Sequence, residues 1–345
     1  MRRIAVILYN LGGPDKLEAV QPFLFNLFND PLILRQAAPI RWVLAKIISS
    51  RRTPVAKEIY SKIGGGSPIL TETEKQAKAL SLVLGQEGSY RVFIAMRYWH
   101  PFAEECLKEV IDYNPEQVIL VPLYPQFSTT TTESFLRVWR GVVEKKGFDV
   151  STTSICCYPR QEEFIKTISG LLQTSLQNAG GPPNKLKILF SAHGLPKKFV
   201  VDGDPYESHV NATVNAILQD LDMPDLDHTV CYQSRVGPIE WLRPYTDEVV
   251  IKAARKGQTI IVVPVAFVSE HSETLVELDI EYRDLAMKHG AAGYVRTPTV
   301  GANTLFIAGI AQMVREAVQA RGAFCSGGLM CDIGCPACPI NQAIT

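Results

Sequence analysis

One ordered set of features occurs twice along this chain, and that repetition limits the folds open to it. In the first half the apolar run Ile4–Tyr9 enters the turn Asn10-Leu11-Gly12-Gly13-Pro14; in the second, Lys187–Phe190 enters Ala192-His193-Gly194-Leu195-Pro196. Each half continues to an arginine-bearing stretch (Met96-Arg97-Tyr98; Gln233-Ser234-Arg235) and then to a Val-Pro run (Val121-Pro122-Leu123; Val263-Pro264-Val265). Strand-like runs at Ile4–Tyr9, Val92–Met96, Val118–Pro122, Lys187–Phe190, Thr229–Tyr232 and Thr259–Val265 alternate with helical spacing over Thr71–Leu84, Pro101–Tyr113, Thr132–Lys145, Gln161–Gln177, Tyr206–Asp220 and Asn303–Ala320. Such alternation signifies βαβ units and parallel sheets. The expected fold is α/β, with two similar Rossmann-like domains whose parallel sheets face a central cleft. We expect the domains at 1–150 and 151–321, followed by a cysteine-rich tail at 322–345.

The 345 residues are 46% apolar, enough for two ordinary cores. The 35 basic and 35 acidic residues cancel, which gives no electrostatic reason to expect nucleic acid as a partner. The apolar runs are strand-sized, so neither a membrane span nor an export signal is expected, and the expected location is the cytoplasm. Eight cysteines are too few for a disulfide scaffold, but four of them lie between Cys325 and Cys338, which points to metal ligation.

Ligands of open α/β sheets sit beyond the carboxyl ends of the strands, and each unusual polar cluster falls at such an end. His193 follows an apolar strand and precedes a glycine, where an imidazole has room to accept a proton or bind a metal. An isolated histidine there reads more readily as structural, but the second cluster shifts the balance. After the strand Thr259–Val265, the acids Glu270, Glu273, Glu277 and Glu281 recur near helical spacing. Stacked like charges need a cation, a metal or raised carboxylate pKa values to offset repulsion, and a winding wider than α is one way to arrange them. A solvated acidic face is the plainer alternative. A third group is basic and aromatic: Arg51-Arg52, Tyr60 and Gly64-Gly65-Gly66-Ser67. It lacks the Lys-Ser/Thr pair of a phosphate loop and suits a carboxylate better. The stripe Ile40, Val43, Leu44, Ile47 and Ile48 beside Arg41 and Lys46 reads equally as a lip for an apolar ligand, a membrane-surface face, or a core-facing helix.

These segments closely resemble the ferrochelatase (protohaem ferro-lyase) family, bacterial type with a four-cysteine tail. The resemblance spans nearly the whole chain and rests on Arg51-Arg52-Thr53-Pro54, Ile63–Pro68, Arg97-Tyr98-Trp99-His100-Pro101, Leu189–Pro196, Gly203-Asp204-Pro205-Tyr206, Gln233–Pro238 and Phe267–Tyr282. It implies the chelatase-like fold and insertion of ferrous iron into protoporphyrin IX, with pyrrole deprotonation and distortion of the macrocycle. It places the key histidine at His193 and the key acid at Glu273, with ferrous iron, a substrate, at that pair. Glu270, Glu277 and Glu281 would relay protons or metal, Trp241 would be a wall of the pocket, and Arg97 and Tyr98 pocket residues. Arg52, Tyr60 and Ser67 would contact the propionates. Other readings are a chelatase for another tetrapyrrole or metal (coproporphyrin, cobalt) and a haem carrier that does no chemistry.

Some members of that family carry a [2Fe–2S] cluster at the C-terminus, which the resemblance implies at Cys325, Cys331, Cys335 and Cys338. In several, one ligand is a cysteine following a Tyr-Pro-Gln segment. Here Tyr124-Pro125-Gln126-Phe127-Ser128-Thr129 holds none, which favours four tail ligands. Zinc is the main competitor at four thiolates. Cys106, Cys156, Cys157 and Cys231 read as buried apolar fillers. The expected partners are porphyrin and ferrous iron; the resemblance also allows a homodimer and a peripheral membrane contact.

Overall fold

The computed structural model describes residues 2–85, 89–223, 226–320 and 322–326. The strands are β1 (Arg3–Asn10), β2 (Ser89–Met96), β3 (Gln117–Pro122), β4 (Thr152–Cys157), β5 (Leu186–His193), β6 (His228–Gln233), β7 (Thr259–Pro264), β8 (Gly293–Arg296) and β9 (Gly322–Cys325). They form two sheets, ordered β2-β1-β3-β4-β9 and β6-β5-β7-β8, and every pairing is parallel. The repetition seen in the sequence is therefore a repeated topology: β1 and β5 each lie between the two strands that follow them in the chain.

The chain divides into two compact units, one comprising residues up to Cys157 with Ile310–Ser326, the other Tyr158–Gly309. In the first, α1 (Val20–Phe28) packs against α2 (Ala38–Ser61), while α3 (Ile69–Leu84), α4 (Ala103–Tyr113) and α5 (Ser134–Lys146) pack on the sheet. β1 is buried from Ile4 to Asn10, as expected of a parallel strand covered on both faces. Its odd-numbered side chains Ala5, Ile7 and Tyr9 join Leu107 of α4 and Phe135 and Trp139 of α5 in one core cluster. The second unit carries α6 (Glu162–Ala179), α7 (Lys197–Val201), α8 (Tyr206–Asp220), α9 (Thr246–Ala254) and α10 (Tyr282–Lys288), and α11 (Thr304–Gln319) begins there. Leu189, Val250, Ile260, Val262 and Leu278 make its core.

Between β7 and α10 the chain runs as a π-helix over Glu273–Glu281, the wider winding that the acid spacing suggested. Among the described residues, no helix is long and apolar enough to cross a membrane. The Ile40–Ile48 stripe lies on α2, with Ile40, Val43 and Ile47 exposed beside Trp42, while Ala45 and Ser49 face inward. The core-facing reading of those three residues is thereby excluded.

Candidate functional site

In a sheet ordered β6-β5-β7-β8 the chain reverses direction between β5 and β7, and the carboxyl ends of those strands flank the usual ligand crevice. His193 is the last residue of β5, and the π-helix follows β7. These elements bring two residues 80 positions apart together, with His193 Nδ1 2.9 Å from Glu273 Oε2. With Nδ1–H donating to the carboxylate, Nε2 is left as the acceptor, and it has no hydrogen-bond partner among the described residues. The imidazole is 41% exposed. Burial lowers its pKa, but the charges of Glu273 and Glu277 outweigh that and hold it above the ordinary value. Burial pushes the Glu273 carboxyl up, while His193 and His271 pull it well below the carboxylate range. His271 contributes through Nε2, 3.5 Å from Glu273 Oε2.

Glu277 is held differently. Its carboxylate accepts from the Ser234 backbone N–H (2.9 Å), Gln233 Nε2 (3.1 Å), the Tyr282 hydroxyl (2.8 Å) and the Ser234 hydroxyl. Burial, then the charge of Glu273, raise its pKa against those donors. The π-helix thus presents two unlike carboxylates: one charged and paired with an imidazole, the other with a raised proton affinity. Adjacent groups with pKa values pushed apart are the arrangement that proton transfer uses.

Gly194 is required by packing. A Cβ there would lie 2.7 Å from the Gln233 carbonyl and 3.3 Å from Trp241 Cε3. Trp241 is thereby set beside the His193 turn, its indole N–H donating to the Val236 carbonyl at 3.0 Å. Glu270 accepts from Arg296 Nη1 (2.8 Å) and the Thr299 N–H (3.0 Å), while Arg296 Nη2 donates to Asp279 (2.7 Å). Glu281 is exposed at the end of the π-helix.

In the first unit, Tyr60 and Tyr98 are buried in one cluster with Val20, Phe23 and Leu24. Arg52 is exposed on α2. Ser67 packs on the turn after β1: its N–H donates to the Pro14 carbonyl at 2.7 Å, and a Cβ on Gly13 would sit 2.6 Å from its hydroxyl. The glycine run before it permits this approach, since a Cβ on Gly66 would meet the Asp15 carbonyl at 2.5 Å. Asp30, which sequence reasoning missed, joins Arg97 and Tyr98. Its nearly sealed carboxylate accepts from Arg97 Nη2 (2.7 Å), the Tyr98 hydroxyl (2.8 Å), the Leu32 N–H (2.7 Å) and the Ser134 hydroxyl. No motif marks an aspartate in a plain Asn-Asp-Pro turn.

The cysteines also form a group not foreseen. β9 pairs with β4, which brings Cys325 Sγ to 3.3 Å from Cys157 Sγ; Cys156 Sγ lies 3.7 Å from Cys157 Sγ. All three sulfurs fall within 4.8 Å of one another, a donor set for a soft metal. Cys156 and Cys157 are buried against Phe127, as expected of apolar fillers, and they also contribute two of the three grouped sulfurs. Cys331, Cys335 and Cys338 lie outside the described residues.

Two parallel sheets of this topology, with a strand-end histidine set against a carboxylate, define a chelatase-type protein. SirB from Bacillus subtilis with Fe3+ matches at a TM-score of 0.53 over 92% of this chain and 96% of that one. The sirohydrochlorin chelatase SirB from B. subtilis subspecies spizizenii, in complex with cobalt, matches equally. Identity to both is 11%, so the likeness is one of fold. The family model described as Ferrochelatase matches residues 3–318. A ferrochelatase of Caulobacter vibrioides (strain NA1000 / CB15N) is 47% identical over 346 residues, covering 99% of this chain and 98% of that protein. That of Pelagibacter ubique (strain HTCC1062) is 47% identical over 313 residues, 90% of each. The chain belongs to the ferrochelatase family.

Proposed function

We propose that this chain inserts ferrous iron into protoporphyrin IX to give protohaem, with His193 accepting the pyrrole protons. The observation that carries the reading is the His193–Glu273 pair, which leaves a basic, accessible Nε2 anchored from behind by a carboxylate. A free-base porphyrin must lose two N–H protons before a divalent metal can occupy it, and its flat ring must bend for the metal to reach all four nitrogens. An imidazole whose pKa is held above the ordinary value is a stronger base for the first task. Trp241, beside the His193 turn, supplies an aromatic wall against which a bent ring is buried. Glu273 meets the ferrous substrate. Glu277, with its raised affinity for protons, takes them onward toward Glu281. Glu270, tied to Arg296, orders the start of that file. Arg52, Tyr60 and Ser67 take the propionates.

Turnover with ferrous iron is the test, run with protoporphyrin and coproporphyrin in parallel and with cobalt as a second metal. His193→Ala should abolish metal insertion while porphyrin binding, read by absorbance, persists. Near-normal turnover in that variant would remove His193 from the chemistry, and no turnover in the parent chain would make it a carrier.

We infer further that the thiols grouped at Cys325 hold a [2Fe–2S] cluster. A convergent set of soft sulfur donors suits it, with Cys157 in position to supply a ligand beside the tail residues Cys331, Cys335 and Cys338. Such a cluster would tie β4 to the tail. A cytoplasmic protein is the matching location, resting on the membrane surface through Ile40, Trp42, Val43 and Ile47, which are 44–54% exposed on a helix that also carries Arg41, Lys46, Arg51 and Arg52. Sedimentation with anionic vesicles should fall for Trp42→Glu; equal binding by both chains refutes that contact.

A further inference from the structure

The first unit contains a cavity of about 350 Å³ whose lining, Arg97 apart, includes none of the residues assigned to the reaction above. Asn26, Asn29 and Arg97 line one part of it, and Phe102, Phe135 and Val138 another. The Arg97 side chain is 15% exposed. Its Nε donates to Ser134 Oγ and its Nη2 to Asp30 Oδ2, both at 2.7 Å, which leaves Nη1 without a hydrogen-bond partner among the described residues. Asp30 shares its charge among four donors and so offsets Arg97 only in part. Asn26 spends Nδ2 on the Tyr98 carbonyl at 3.1 Å and keeps its side-chain oxygen, and the Asn29 side-chain amide makes no hydrogen bond among the described residues. The acid at the rim, Glu104, is engaged by Lys146 at 3.0 Å. A partly satisfied guanidinium and an uncommitted amide facing a half-apolar hollow recognise a carboxylate on an apolar body. The volume lies at the lower end for ligand pockets.

We propose that this cavity is a binding site for a small organic monocarboxylate, its carboxylate on Arg97 and Asn29 and its apolar body against Phe102, Phe135 and Val138. Benzoate is the probe, and benzamide the uncharged molecule of the same shape. Saturation-transfer NMR on the full chain should show benzoate binding with a Kd of roughly 0.1–10 mM and benzamide at least about tenfold weaker. Val138→Phe, which fills the cavity, and Asn29→Leu, which removes its amide, should each weaken benzoate by about tenfold or more with an unchanged far-UV spectrum. Should Val138→Phe fail to fold, Asn29→Leu carries the test. Protoporphyrin should leave the benzoate signal intact. No saturation transfer, equal binding of benzamide, indifference to the folded variants, or displacement by protoporphyrin would each overturn the proposal. Because the readout is binding, its outcome is independent of whether the chain inserts iron.

Discussion

Arg296, at the end of β8, bridges Glu270, just ahead of the π-helix, and Asp279 within it. The Arg296 side chain is 10% exposed and those of Glu270 and Asp279 are 21% and 24% exposed, so all three have given up much of their hydration. Replacing Arg296 by Met keeps the stem and removes the charge, leaving Glu270 without its counterion and Asp279 with only the exposed Arg283, 3.8 Å away. Breaking a buried pair in this way costs 3–5 kcal/mol; with a fifth to a quarter of each acid still wet, about 3 kcal/mol is the appropriate figure. For a unit of this size that lowers the melting temperature by roughly 6–12 °C. The pH dependence has a definite sign. Burial raises the Glu270 pKa, but Arg296, the Thr274 hydroxyl and the Thr299 N–H together more than reverse it, so its folded value lies below the ordinary one. Its contribution is therefore present above the unfolded pKa and lost as pH falls through the folded value. In Arg296→Met, burial is opposed only by the Thr274 and Thr299 hydrogen bonds, and a protonated acid is more easily accommodated. The gap between the two proteins should be widest at pH 7 and narrow as pH drops toward about 4. Thermal unfolding followed by circular dichroism at pH 7 and pH 4.5 measures it. A deficit under about 1 kcal/mol, or one that does not change with pH, would refute this account of how the π-helix is anchored.

Gly194→Ala forces a methyl to 2.7 Å from the Gln233 carbonyl, so the His193 turn must move or β6 must yield; the cost is about 1–3 kcal/mol. Iron insertion should fall further than the melting temperature suggests, since His193 is the adjacent residue; full activity would contradict the packing argument. Cys157→Ser removes a sulfur 3.3 Å from that of Cys325, and the protein purified without oxygen should lose visible absorption of an iron–sulfur chromophore. An unchanged spectrum would assign the ligands to the tail alone.

Much of the second unit could be read in the linear chain because its determinants are local. A strand run, a glycine and an acid periodicity each lie within a dozen residues, so His193 and Glu273 could be nominated before their 2.9 Å contact was seen. The π winding was legible for the same reason: the repulsion between Glu273 and Glu277 is written in their spacing. What escaped notice depends on distant pairings. Cys156 and Cys157 look like ordinary strand residues until β9 arrives beside β4, and β9 itself is four residues long with no alternation to mark it. Asp30 has no recognisable neighbourhood in sequence; its role comes from Arg97, Tyr98 and Ser134, at separations of 67, 68 and 104 residues. Gln233 and Ser234 stood in a noted string, yet only the fold shows that they hold Glu277.

The place of β9 in the first sheet has a consequence for biosynthesis. A chain emerging from the ribosome can assemble β1 to β4 early, but the flank of β4 stays bare until its partner, 168 residues further on at the Cys157–Cys325 contact, has been made. During that interval the nascent protein carries an open strand edge with two adjacent thiols, a template for errant pairing and for oxidation. Stalled or shortened products should therefore clump or cross-link where the finished polypeptide does not.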